Sequence, residues 1–184
     1  MSDVYDFGEG KVPAHRHLNP DGYVGGWVAD TATVAPTAYV GVNAVIYGNA
    51  TVRDVAMVYG YASVYEDASV FGQARVYDHA HVCGRARIYD LAHVYDSAMV
   101  YGEARVAQNA RIHGAATVSN FAWIFGNAGV SGAARVCGMA RVSFLAVVES
   151  NAYIDGAMEV FGVYNTSKQE IELFRAMADV TGEE

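Results

Sequence analysis

Apolar and polar positions in this chain fall on a fixed six-residue beat. From Val28 to Val160 every sixth residue is Val or Ile, twenty-three of them in register. Four residues after each stands Ala, from Ala32 to Ala152, yielding only to Met158 and Tyr164. Two residues after the β-branched position most repeats carry Gly, Asp, Asn or Glu, as at Gly48, Gly60, Gly72, Asp78, Gly84, Asp90, Asp96 and Gly102. The unit reads V-Y-G-x-A-x. Val and Ile favour extended backbone and fill a narrow core. Gly, Asp and Asn tolerate positive φ and mark one bend per hexad, and Ala is small enough to point inward beside a corner. A period of six fits neither a helix nor a long flat strand, and predicts an all-β parallel β-helix. Three hexads close a triangular coil, so residues 18 apart stack roughly 4.8 Å from one another. The run makes about seven to eight coils.

The ends depart from the beat. Residues 1–27 contain His15-Arg16-His17, Asn19-Pro20-Asp21-Gly22 and Gly25-Gly26-Trp27, read as an irregular leader or cap whose turn feeds Trp27 onto the first coil. Residues 28–165 form the solenoid. In residues 166–184, Ser167-Lys168-Gln169-Glu170 has capping-box spacing, and Ile171, Phe174 and Ala178 share one helical face. A short helix over about 167–180 is expected to cover the open last coil, because solenoids need capped ends. Met139, Phe144 and Leu145, at outward corners, are its expected landing site or part of a subunit contact.

The repeat over residues 27–164 resembles the hexapeptide-repeat left-handed β-helix proteins. Left-handed winding is what that resemblance implies, since spacing is blind to hand and the usual crossover rule is right-handed. Many members are trimeric acyltransferases that act on acyl-CoA or acyl carrier protein, and another branch comprises zinc carbonic anhydrases. The enzymes usually place Gly directly after the aliphatic residue, which only Val40-Gly41 does here, and interrupt their coils with a loop that shapes the substrate site. Units such as Ile46-Tyr47-Gly48-Asn49-Ala50, with no hexad interrupted, look more like the YdcK-like solenoids of bacteria and prophages. The leader likewise resembles those of prophage-encoded repeat proteins.

Composition narrows the field. Only two cysteines are present, so this is no disulfide scaffold. No stretch approaches the roughly 18 apolar residues of a membrane span, and the first thirty residues lack the apolar core of a signal peptide. A cytoplasmic protein is expected, in the host cytoplasm if it is phage-encoded. The net charge is −8. It is spread over a mixed-sign solenoid and acidic ends, without the basic stripe that nucleic acid requires.

With an 18-residue coil, outward residues line up in columns. One face carries Tyr59, Tyr77, Tyr95 and His113 beside Met57, Arg75, His93 and Arg111, residue types favoured at interfaces. The same columns also read as exposed strand residues copied by repeat duplication. A second face has Tyr47, Tyr65 and Tyr101, interrupted by Cys83; a third, with Arg53, Phe71, Tyr89 and Phe125, is less coherent. If the chain is an enzyme, His93 and His113 are the candidate general bases. No metal site is expected, because His79 and His81 flank a corner without an evident third ligand. Cys83 and Cys137 lie on one face three coils apart, roughly 14 Å by strand spacing, beyond disulfide reach.

Two functions stay open. The favoured one is a non-catalytic solenoid, without cofactor, that uses the flat Tyr/Arg/His face for self-assembly or for a protein partner. The resemblance suggests a homotrimer, and no membrane or nucleic-acid partner is expected. The alternative is a diverged acyltransferase that uses acyl-CoA with a surface His as general base.

Overall fold

A computed structural model describes residues 3–8, 10–161 and 165–166 of the chain. The expected C-terminal helix lies outside the described residues. The chain opens with three longer strands, β1 (Asp3–Asp6), β2 (Lys11–Leu18) and β3 (Val24–Ala29). Two-residue strands then recur every sixth residue, beginning with β4 (Thr33–Val34), β5 (Tyr39–Val40) and β6 (Val45–Ile46). Each strand pairs in parallel with the one three strands on, so Trp27 lies against Val45, Tyr39 against Met57 and Arg75 against His93. Three sheets result: a first of ten strands that includes β3 and β6, a second of eight that begins at β4, and a third of eight that begins at β5. This is an all-β parallel β-solenoid, with no helix among the described residues.

The repeat chemistry explains the winding. Every sixth-residue Val or Ile from Ile46 to Ile154 and every sixth-residue Ala from Ala38 to Ala146 is fully buried, so one continuous aliphatic ladder fills the prism. Backbone N–H groups donate 17 residues along the chain, as Arg75 N to Ala92 O at 2.9 Å and Tyr77 N to Val94 O at 3.0 Å. Every sixth residue from Gly48 to Gly156 has positive φ. At these corners the acids do more than tolerate the bend. Asp54, Glu66, Asp90 and Asp96 accept the N–H of the corner residue one coil on, at 2.9, 2.6, 3.1 and 2.9 Å. An otherwise open donor at each of these corners is thereby satisfied.

Phe144 breaks the corner rule, with φ 59° on a bulky aromatic that is 67% exposed. Asn enters this region far more readily. Phe144→Asn should stabilise the protein by roughly 1 kcal/mol, read as a rise of about 2–4 °C in thermal melts.

The leader is not irregular, as its lack of the six-residue beat had suggested. β1 and β2 form an antiparallel hairpin, and β2 pairs antiparallel with β3, extending the first sheet past the first coil. Its inward polar groups close the open end. Asn19 Nδ2 donates to Val40 O at 3.0 Å, while Asn19 Oδ1 accepts from Val40 N–H at 2.8 Å. The buried His17 places Nε2 3.0 Å from Ala38 O. Rings continue the seal outside: Tyr5 stacks on Trp27 at 4.8 Å and Phe7 on Tyr47 at 4.9 Å. The edge that a solenoid must cover is thus paired by side chains that imitate a strand.

Candidate functional site

The third sheet carries all eight residues singled out from the sequence, and the 18-residue coil sets them in two columns. Met57, Arg75, His93 and Arg111 each precede the buried residue of their strand, and pair at successive coils. Tyr59, Tyr77, Tyr95 and His113 each follow it. Parallel pairing in register forces the rings of this second column to stack: Tyr59 on Tyr77, Tyr77 on Tyr95 and Tyr95 on His113, all at 4.9 Å between centroids and within 6° of coplanar. Tyr77 also meets His93 edge-on at 6.0 Å. Such ring pairs contribute about 0.5–1.5 kcal/mol each, so the column is stiff before it meets any partner.

The electrostatics follow from that packing. Burial within the stack, then the neighbouring Tyr59 and Tyr95, push the Tyr77 hydroxyl up to about 12. Burial chiefly, then the flanking Arg75 and Arg111, hold His93 below the ordinary imidazole value and favour its neutral form at pH 7. His113 Nδ1 lies 3.7 Å from Asp96 Oδ2. None of the ion pairs among the described residues uses Arg75 or Arg111.

The other two sheets present less uniform faces. On the first, Tyr47 and Tyr65 stack at 4.9 Å, but the column then passes through Cys83, Tyr101, Ser119 and Cys137. Where the residues shrink, a concavity of about 600 Å³ opens, lined by Met99, Tyr101, Thr117, Ser119, Arg135 and Tyr153 among others. Both cysteines are free thiols, raised above the ordinary value chiefly by burial. The concavity escaped the sequence reading; the drop in side-chain size down the 18-residue column was the available signal. On the second sheet Arg53 lies over Phe71, 4.2 Å from its centroid, and Phe71 stacks on Tyr89. Near its far end Phe144, Leu145 and Phe161 line a corner concavity.

His79 stacks on Tyr61 at the corner between the third and first sheets, at 5.1 Å. No group of three His, Cys, Asp or Glu side chains among the described residues is placed to hold a metal ion. No helix among them is long and apolar enough to cross a membrane.

No family model matches the chain, and no curated protein matches it either. Among solved structures it is similar to a crystal structure of a Bacillus cereus protein provisionally described as an acetyltransferase, at 12% identity. The match covers 80% of this chain and 86% of that one with a TM-score of 0.39, too low to carry an argument about activity.

Proposed function

We propose that this protein is a binding solenoid without catalytic activity of its own, and that it works through the flat face of its third sheet, in self-assembly or against a protein partner. The observation that supports this reading is the unbroken ring column Tyr59–Tyr77–Tyr95–His113 beside Arg75 and Arg111, which no ion pair among the described residues uses. Stacked rings already held at an exposed surface lose little conformational freedom on binding, and aromatic and Arg side chains are the types that dominate interface energetics. The face is also flat: neighbouring coils project side chains of similar reach, and no described hexad departs from the repeat to build a pocket over it. Changing Tyr77 and Tyr95 together to Ser should abolish association, whether with itself or with a stoichiometric protein partner, in sedimentation or co-purification. The isolated solenoid should keep its fold by circular dichroism. Association that survives the double change would remove this face from the function.

One observation favours the alternative, an acyltransferase that uses acyl-CoA. His93 is kept neutral by burial and by two arginines, which is the protonation state a general base needs. Calorimetry with CoA and acetyl-CoA separates the two readings. The binding protein gives no heat at micromolar ligand, whereas the enzyme gives a signal that disappears in His93→Ala or His113→Ala.

A further inference from the structure

The third-sheet face is banded in charge as well as in shape. Across one strand the outward order is Arg75, then Tyr77, then Asp78, where the chain turns the corner at φ 58°. One coil on, the order is His93, Tyr95, Asp96. At the level of Arg75 a basic, a ring and an acidic position therefore lie side by side across the face; one coil on, the His93 imidazole, favoured in its neutral form, takes the first place, and the level of Arg111 turns at Gly114. Arg75 does not satisfy its own Asp78: no ion pair joins them. Asp96 already accepts the Gly114 N–H at 2.9 Å, so Asp78 is the carboxylate left open on this edge. It directly follows Tyr77 in the chain, and its charge raises the hydroxyls of Tyr59 and Tyr77.

This lateral order is self-complementary under one operation only. A two-fold axis parallel to the solenoid axis exchanges left and right across the face and leaves height unchanged. It sets the basic position of each copy opposite the acidic corner of the other, at the same coil, with the ring columns between. A two-fold perpendicular to the solenoid axis keeps left and right, and so sets basic on basic and acid on acid. A three-fold sets this face against a different one and leaves the complementarity unused.

We propose that the partner of this face is a second copy of the same chain, docked face to face with solenoid axes parallel, Arg75 of each copy reaching Asp78 of the partner subunit across the Tyr77 rings. This rests on the reading of the third-sheet face as the binding surface. Arg75 is long enough to cover a partner ring and reach the carboxylate behind it, combining cation–π contact with a charge-assisted hydrogen bond. The dimer axis runs along the ring columns, so each level of one copy meets the same level of the other.

The test is a charge exchange. Wild type should sediment at twice the 19.7 kDa chain mass. Arg75→Asp and Asp78→Arg should each weaken dimerisation at least tenfold, because each sets like charges together twice per dimer. Both residues are exposed; at a concentration where wild type is monomeric Arg75→Asp should melt with wild type, and Asp78→Arg about 2–4 °C lower, because Arg enters the positive-φ corner less readily than Asp. Mixed in equal amounts, the two variants should recover a heterodimer, since each supplies the charge the other lacks; the doubly exchanged chain should dimerise with itself. Single cysteines at Tyr59 or at Tyr95, with Cys83 and Cys137 changed to Ser, should both give disulfide-linked dimers, because parallel axes set each level against itself.

A wild-type monomer across micromolar concentrations, or a monomer that binds poly-glutamate instead, overturns the self-pairing. So does a trimer. An oligomer indifferent to both charge reversals but lost in the Tyr77→Ser, Tyr95→Ser variant overturns the two-fold geometry alone, and leaves the face as the binding surface.

Discussion

Replacing Val94 with Asp should abolish cooperative unfolding of the coils around it and leave the chain open to protease between about residues 76 and 112. Val94 is fully buried, in register with Val76 on one side and Ile112 on the other. A carboxyl group there has no partner, because the surrounding ladder consists of Val, Ile and Ala. Even protonated, it would cost roughly 2–7 kcal/mol for an unpaired polar group in apolar surroundings, and a further 1.5–3 kcal/mol of lost Val burial. The sum is comparable with the whole stability of a typical domain, about 5–15 kcal/mol. A solenoid coil touches only its neighbours, so the damage should begin locally before it spreads. The outward neighbour is the control. Tyr95→Ser forfeits two ring contacts worth about 0.5–1.5 kcal/mol each, and measured in dilute monomer it should lower the melt by about 2–12 °C while unfolding stays cooperative. Equal losses for Val94→Asp and Tyr95→Ser would mean that the inward and outward assignments are wrong.

The ladder was legible because it asks so little of the sequence. Once Val, Ala and a residue tolerant of positive φ recur every six residues, parallel pairing at 18 residues is the arrangement that buries them all. Tyr77 on Tyr95 and Arg75 on His93 then follow from arithmetic. The corner acids were legible only in part. Asp and Glu at the bend announced a turn, but their bonds to the next coil's N–H need the coil spacing and the φ angle together. The leader was not legible as strands. His15, Arg16 and His17 carry no periodic apolar signal, because the inward groups that close the end include polar ones, His17 of β2 and Asn19 just after it. A polar cap looks like a loop until the backbone it imitates a strand for is known. The concavity beneath Tyr101 depends on a change of side-chain size from one coil to the next, which a search for repetition passes over. The charge bands on the third sheet are invisible along the chain for a related reason. Arg75 and Asp78 are near neighbours in sequence, and only the corner between them makes one a face and the other an edge.

Gly26→Ala, one added methyl group, should cost the protein about 3–6 kcal/mol, a loss that few single substitutions reach. β3 enters the first coil by laying Gly25 and Gly26, both buried, directly on the carbonyl groups that face the open end. A Cβ at position 26 would sit 2.1 Å from Ala44 O, 2.6 Å from Gly41 O and 2.9 Å from Val40 Cγ1. Two of these neighbours are backbone oxygens, one of them, Gly41 O, already held by the Ala44 N–H at 2.9 Å, so β3 itself must lift. Lifting it strains the paired hydrogen bonds between Asn19 and Val40 and the His17 contact with Ala38, and each buried group left unsatisfied costs about 1–3 kcal/mol. At roughly 2–4 °C per kcal/mol for a chain of this size, the melt should fall by about 6–24 °C. Hydrogen exchange at the Val40 amide should accelerate with it, and trypsin should gain access to Arg16. Asn19→Ala should reproduce part of the loss without the clash. Gly129→Ala, where an added Cβ meets nothing within 4 Å, should be neutral or stabilise slightly, by about 0.5 kcal/mol. A Gly26→Ala protein that melts with wild type, its Val40 amide still protected, would show that the leader does not close the solenoid.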